Sequence, residues 1–186
     1  MAALNFKEMS IIFISKFKPP KLEVRDIVYI GMLMALSFII SKFSINTQFI
    51  SISPAFIITA IIGISYGPVW GASVAGISDI LFTFINGQMY YPGFTISAIL
   101  TGFLYGMFLY KNKNVKFLHV LICQLIIVIC VYTILNTMWL TLFYNIPWKT
   151  IIVARIIKQF VATPIQIAII FLILKSKNFN KIILKK

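Results

Sequence analysis

Residues 86–98 read Asn86-Gly-Gln-Met-Tyr-Tyr-Pro-Gly-Phe-Thr-Ile-Ser-Ala98 and separate two long apolar runs. Pro92-Gly93 cannot continue a helix from the N-terminal side. A new helix is therefore expected at Phe94, with Thr95 and Ser97 in its first turn. Tyr90 and Tyr91 before it suit two roles. They can form the lip of a ligand site, or they can anchor an ordinary loop at the lipid–water interface. The choice depends on what lies beneath them.

Of the 186 residues, 60% are hydrophobic and 11% charged, with a mean hydropathy of +0.97. A soluble domain of this size does not tolerate such a surface, so the chain reads as one all-α integral membrane domain. Seventeen basic residues against four acidic ones give +13. The lysines flank apolar runs, which indicates retention on the cytoplasmic face rather than a nucleic-acid partner. Cys123 and Cys130 lie in one apolar run, about 10 Å apart along a helix axis, too far for a disulfide. His119 beside Lys116 reads as interfacial. No metal and no cofactor are expected.

Six spans are expected, at about Ile27–Ser41, Pro54–Tyr66, Val69–Ile85, Phe94–Tyr110, Phe117–Phe143 and Thr150–Leu174. The second is short for about 30 Å of hydrocarbon. Gly67-Pro68 makes a tight turn after it. Residues 42–53 alternate polar and apolar in part and suggest a small extended lid. The basic residues cluster at Lys7–Arg25, at Lys111, Lys113 and Lys116, and at Lys175–Lys186, against only Lys42 and Lys149 on the opposite side. Both termini are thus expected in the cytoplasm, with loops 42–53, 86–92 and 144–149 facing outward. The expected division is a basic N-terminal segment 1–26, a six-helix membrane domain 27–174 and a basic tail 175–186. Met9–Ser15 suits an amphipathic piece on the inner surface better than a signal peptide.

Charges inside the bilayer are costly, about 2.5–3.5 kcal/mol each at the centre, and the ones that persist usually face a cavity or the bundle interior. Asp79 lies in the outer half of the third span, Asn136 and Thr137 in that of the fifth beside Trp139, and Arg155 and Lys158 in that of the sixth. Gln159, Ala162 and Gln166 share a face with Arg155. Two readings stand. Asp79 pairs internally with a cation, or the group forms a pocket for an organic anion in which the excess positive charge finds its partner. Gly31 and Ala35 in the first span form a small-xxx-small pair, suited to docking another helix or to tight packing within the bundle. No phosphate-binding P-loop, His-Glu-x-x-His or Gly-x-Ser-x-Gly motif is present, and no nucleophile–base pair is visible, so an enzyme is not expected. With no energy-converting part, the chain reads as a membrane receptor driven by other subunits.

Tyr91-Pro-Gly-Phe-Thr-Ile-Ser-Ala-Ile-Leu-Thr-Gly, Leu135-Asn-Thr-Met-Trp-Leu140, Arg155-Ile-Ile-Lys158 and Pro164-Ile-Gln166 occur in this order, after Tyr66-Gly-Pro-Val-Trp-Gly71. Together, over about residues 25–174, they resemble the folate-type (FolT-like) substrate-binding S components of energy-coupling factor (ECF) vitamin transporters. The resemblance implies a six-helix S-component bundle in the cell membrane that binds folate from outside. It also implies release inside with a shared transmembrane coupling subunit and two cytoplasmic ATPases. Gly31 and Ala35 sit where that family has an Ala-x-x-x-Ala contact with the coupling subunit; Gly31 departs from the pattern but keeps the small size. The candidate ligand residues are Asp79, Tyr91, Gly93, Phe94, Thr95, Asn136, Trp139, Arg155 and Lys158. Asp79 or Asn136 is expected at the polar edge of the pterin, with Tyr91, Phe94 and Trp139 stacked on its rings. Arg155 and Lys158 are expected to pair with a carboxylate or the pterin carbonyl. Gly93, Phe94 and Thr95 would donate main-chain N–H groups from the helix start. The alternatives are an S component for another small vitamin and a non-transport membrane assembly protein.

Overall fold

The structure, a computed structural model, describes residues 19–46, 51–110, 117–145 and 147–176. The amphipathic N-terminal piece, the basic turn at 111–116 and nearly all of the basic tail lie outside these residues. The elements are α1 (Val24–Ser41), β1 (Ile45–Asn46), β2 (Ser51–Ile52), α2 (Phe56–Ile85), α3 (Pro92–Leu109) and α4 (Phe117–Ile126). A π-helical stretch, Ile127–Leu135, then leads into α5 (Asn136–Tyr144), and α6 (Trp148–Lys175) follows. Among the described residues, five helical segments are long and apolar enough to cross a membrane: Val24–Ser41, Phe56–Ile85, Pro92–Leu109, Phe117–Phe143 and Ile151–Lys175.

The difference from the six expected spans lies at Gly67. Its φ of 88° and ψ of −179° break α2, and only glycine takes that conformation at little cost. A Cβ on Gly71 would stand 3.0 Å from the Gly63 Cα. Eight residues of continuous helix would put these positions about 12 Å apart. The chain therefore folds back on itself at Gly67, at the turn expected there, and Pro68 opens the return arm. The outgoing arm, Phe56–Tyr66, is about 16 Å long.

Helix α3 lies against this hairpin, backbone on backbone. A Cβ on Gly102 would meet the Gly71 carbonyl oxygen at 2.2 Å, and one on Gly106 would meet the Pro68 nitrogen at 2.4 Å. Small residues allow such an approach between membrane helices, where dispersion rather than hydrophobic exclusion holds the pair. Gly106→Ala should therefore lower the unfolding midpoint in detergent, at a cost of about 1–3 kcal/mol, because the atoms it would strike are main chain that cannot swing aside. An unchanged midpoint would contradict the interlock.

Helix α1 is capped by a reciprocal pair: the Asp26 carboxylate accepts the Glu23 N–H at 3.1 Å, and the Glu23 side chain caps the first turn. This starts the helix three residues before the expected Ile27. It packs on the hairpin through Ile30, against Ile58, Ile62, Tyr66 and Val74. Its opposite side, with Val28, Met32, Leu36 and Ile39, is exposed. Gly31 and Ala35 lie on the exposed surface, and a Cβ on Gly31 would meet nothing within 4 Å. Among the described residues this pair thus faces outward rather than into the bundle.

A second cluster, centred on Tyr105, Leu109, Val120, Ile127, Ile167 and Ile170, joins α3, α4 and α6. Within it the Tyr105 hydroxyl donates to Gln124 Oε1 at 2.9 Å, and Gln124 Nε2 donates to Gln166 Oε1. Each of these three groups has a partner, so the network registers the three helices at little desolvation penalty. Both cysteines are free. β1 and β2 pair antiparallel, with Ile45 opposite Ile52, and these residues have the extended form that the alternation in the 42–53 loop suggests.

Candidate ligand-binding site

The C-terminal end of α2, the start of α3, α5 and the first turns of α6 carry the candidate residues. Helix α3 begins at Pro92, not at Phe94 as expected. Proline is favoured in a first turn, where its missing N–H has no intrahelical partner to lose. Gly93 is therefore already helical, and the Phe94 N–H is spent on the Tyr91 carbonyl at 3.1 Å. A row of three free donors at this helix start is not what the structure builds. Gly93 serves by having no side chain: a Cβ there would stand 2.4 Å from Trp139 Cδ2. The indole rests directly on the main chain of α3.

Trp139 is fixed twice. Its Nε1 donates to Ser97 Oγ at 3.2 Å, and its ring stacks with Phe143 at 6.1 Å between centroids. Phe143 in turn meets Tyr91 at 5.0 Å, and Tyr91 meets Phe94 edge-on at 6.4 Å. The two tyrosines of the loop thus diverge. Tyr91 joins the aromatic cluster, while Tyr90 stacks with Phe84 at 5.9 Å and sits 3.3 Å from Thr95 Oγ1.

The half-buried Asp79 carboxylate accepts a hydrogen bond from Thr95 Oγ1 at 2.7 Å. The Thr83 hydroxyl caps the Asp79 carbonyl at 2.8 Å. Asp79 thus ties the end of α2 to the first turn of α3, and Thr95 is the partner the structure gives it. Arg155 turns elsewhere: its Nη1 donates to the main-chain carbonyl of Tyr132, in the π-helical stretch. Lys158 follows on the same helix, three residues on.

Several buried polar atoms here have no hydrogen-bond partner among the described residues. On α5 they are Asn136 Oδ1, Thr137 Oγ1 and Thr141 Oγ1; on α6 they are Arg155 Nε, Gln159 Oε1 and Thr163 Oγ1. Thr137 and Thr141 are four apart. So are Arg155, Gln159 and Thr163 in succession, which makes a stripe along each helix. The two helices touch. Thr137 and Gln159 are only 6% and 7% exposed. Buried polar groups normally find partners, and an unsatisfied set calls for a cause such as a ligand or bound water. Unpartnered donors and acceptors on two touching helices, at the level of an aromatic cluster, suit a polar ligand with a flat ring.

The rim cations are partly occupied. Lys42 Nζ donates to Asn86 Oδ1 and lies 4.8 Å from the Phe38 ring centroid, and Lys149 lies 5.9 Å from that of Trp148. Of the candidates, the structure joins Tyr91, Gly93, Phe94 and Trp139 in one aromatic cluster, and Asp79 with Thr95 in a hydrogen-bonded pair next along α3. Asn136 lies one turn from Trp139 on α5, and Arg155 reaches across from α6. Four residues of the site were not anticipated: Tyr132, Thr141, Phe143 and Thr163.

Residues 25–174 match the sequence family described as "ECF transporter, substrate-specific component". The chain belongs to this family. It is a family of membrane-embedded transport components rather than enzymes. The folate transporter FolT of Clostridium novyi is 33% identical over 151 residues, covering 80% of this chain and 87% of that protein. The folate transporter FolT of Leuconostoc mesenteroides is 29% identical over 164 residues, covering 85% and 89%. A crystal structure of FolT bound with folic acid superimposes with a TM-score of 0.76 at 31% identity, over 80% of this chain and 92% of that one. The S-component fold inferred from the residue blocks is thus met in both sequence and architecture.

Proposed function

We propose that this chain is the folate-binding S component of an ECF importer. It takes the vitamin from outside and releases it inside when coupled to a shared transmembrane subunit and two cytoplasmic ATPases. The observation that carries the reading is the set of unsatisfied polar atoms on the touching helices α5 and α6, alongside the Trp139–Phe143–Tyr91 cluster, in a chain similar to two folate transporters. Folate offers a flat pterin, an aminobenzoyl linker and glutamate carboxylates. Trp139, Tyr91 and Phe94 supply ring faces. Arg155 and Lys158 supply positive charge for a carboxylate or the pterin carbonyl, and Asn136 a donor and an acceptor for the pterin edge. Asp79, held by Thr95, also offers an acceptor to that edge. Cations and donors already in place at a desolvated site favour an anionic ligand.

The rest of the chain fits this role. The exposed pair Gly31 and Ala35 on α1 is the surface for the coupling subunit. The basic segments 1–26 and 175–186 lie on the cytoplasmic side of the six-helix domain 27–174, and the loops 42–53 and 86–92 close over the site from outside. Calorimetric titration of the chain in detergent with folate, biotin, riboflavin and thiamine tests the assignment. Folate alone should bind at low-micromolar or tighter affinity. Absence of folate binding in that range would overturn it.

Trp139→Phe keeps a ring but loses the donor to Ser97. One neutral hydrogen bond contributes about 1 kcal/mol, so folate affinity should fall about fivefold. Ser97→Ala should cost the same, and the double variant little more, since both remove one interaction. Fully additive losses would show that the Nε1–Oγ contact is not the one that positions the indole.

A further inference from the structure

The nine residues Ile127–Leu135 form a π-helix, wider by one residue per turn than an α-helix. At its end the Asn136 N–H donates to the carbonyl of Val131, five residues back. In an α-helix that N–H would take the carbonyl of Tyr132, four back. Tyr132 instead accepts Arg155 Nη1 from α6. The cation of the binding site and the offset of the helix are therefore linked through one carbonyl oxygen. The Asn136 side-chain oxygen beside this offset is buried without a partner among the described residues, as is Arg155 Nε.

Building on the folate-binding reading, we propose that the Tyr132 carbonyl and the ligand's carboxylate are alternative acceptors for Arg155. Exchange between them repositions Asn136. When Arg155 turns to the ligand, the Tyr132 carbonyl loses that donor, and the Asn136 N–H, one residue off in register on Val131, shifts to it. A bond from Asn136 to Tyr132 closes an ordinary α-turn there. Both ends of the long helix are pinned, Gln124 by Tyr105 and Gln166, and Trp139 by Ser97. The extra residue cannot be expelled by turning either end, so the wide turn retreats from Asn136 and is confined to the part of the stretch around Cys130. Asn136 then turns with its own peptide and presents its amide to the ligand. Asn136 is in this sense positioned by Arg155, and its contact forms only once the anion is bound.

The chain carries its own reporter. Cys130 lies inside the π-helical stretch and is exposed, whereas Cys123 is 1% exposed. A nitroxide on Cys130 of the full chain in lipid nanodiscs should change its spectral line shape on addition of folate, with binding followed calorimetrically on the same preparation. Arg155→Met, which lacks the donor to Tyr132, should show the folate-like line shape without any folate. Exchange of the Asn136 amide with deuterium should slow on folate addition in the natural sequence and be slow already in Arg155→Met. Folate binding with an unchanged line shape and unchanged exchange would overturn the proposal while leaving the folate assignment standing. Arg155→Met with the spectrum of the natural unliganded chain would overturn it as well. A preparation that binds no folate overturns both, and the calorimetry tells that case from the others.

Discussion

Arg155→Ala is expected to weaken folate binding roughly a hundredfold, about 3 kcal/mol, the range found when one partner of a buried, hydrogen-bonded charge pair is removed. The guanidinium is half-buried, with Nη1 on the Tyr132 carbonyl and a buried Nε that no described residue meets. A ligand carboxylate that comes between α5 and α6 gains two donors and a full charge without drawing the cation out of water. That cost of burial was met when the chain folded. Lys149 differs: it is exposed and lies over the Trp148 ring. Lys149→Ala should change affinity by no more than about threefold, since exposed charges contribute about 0–1 kcal/mol. Calorimetric titration of both variants checks the pair. Small and equal effects would remove Arg155 from the site.

Gly93→Val is expected to abolish measurable folate binding. Its Cβ would fall 2.4, 2.7 and 2.8 Å from Trp139 Cδ2, Cγ and Cε2. These are the inner atoms of the indole, not a flexible tip. Trp139 cannot withdraw without breaking the bond to Ser97 and the stack on Phe143, so the collision is passed to the whole aromatic cluster. Overpacking of this kind costs about 1–3 kcal/mol in stability, which lowers the unfolding midpoint as well. A second variant separates the two effects. Trp139→Ala added to Gly93→Val should restore the midpoint by making room, yet leave binding absent because the ring is gone. Wild-type affinity in Gly93→Val would show that Trp139 does not rest on α3 in the loaded protein.

The apolar runs, the turn at Gly67-Pro68 and the glycines of α3 are legible in the sequence, because each follows from hydrophobic length or from a residue with unusual backbone freedom. The start of α3 is harder to place, because Pro92 both closes the loop before it and opens the helix after it. The π-helical stretch is not legible at all. Ile127-Val-Ile-Cys-Val-Tyr-Thr-Ile-Leu135 is almost uniformly apolar and faces both lipid and core, so it shows no period from which a width can be read. In the site, Gln159 on the face of Arg155 follows from spacing alone, whereas Thr163 emerges only as an unpartnered buried hydroxyl. The resting partner of Arg155 does not follow from spacing either, since a main-chain carbonyl leaves no mark on the residue that carries it. The internal pairing of Asp79 is open to the sequence only as a choice among cations, and the partner it has, Thr95, is neutral.

The fold-back at Gly67 also bears on how the protein enters the bilayer during synthesis. An arm of about 16 Å is half the hydrocarbon thickness, so it cannot partition on its own as it leaves the insertion machinery. It must wait for Pro68–Ile85 and enter with it as one unit. Even then the groove floored by Gly63 and Gly71 stays open to lipid until Gly102 and Gly106 arrive. The order of synthesis thus leaves the hairpin half-built for the whole time that α3 takes to emerge.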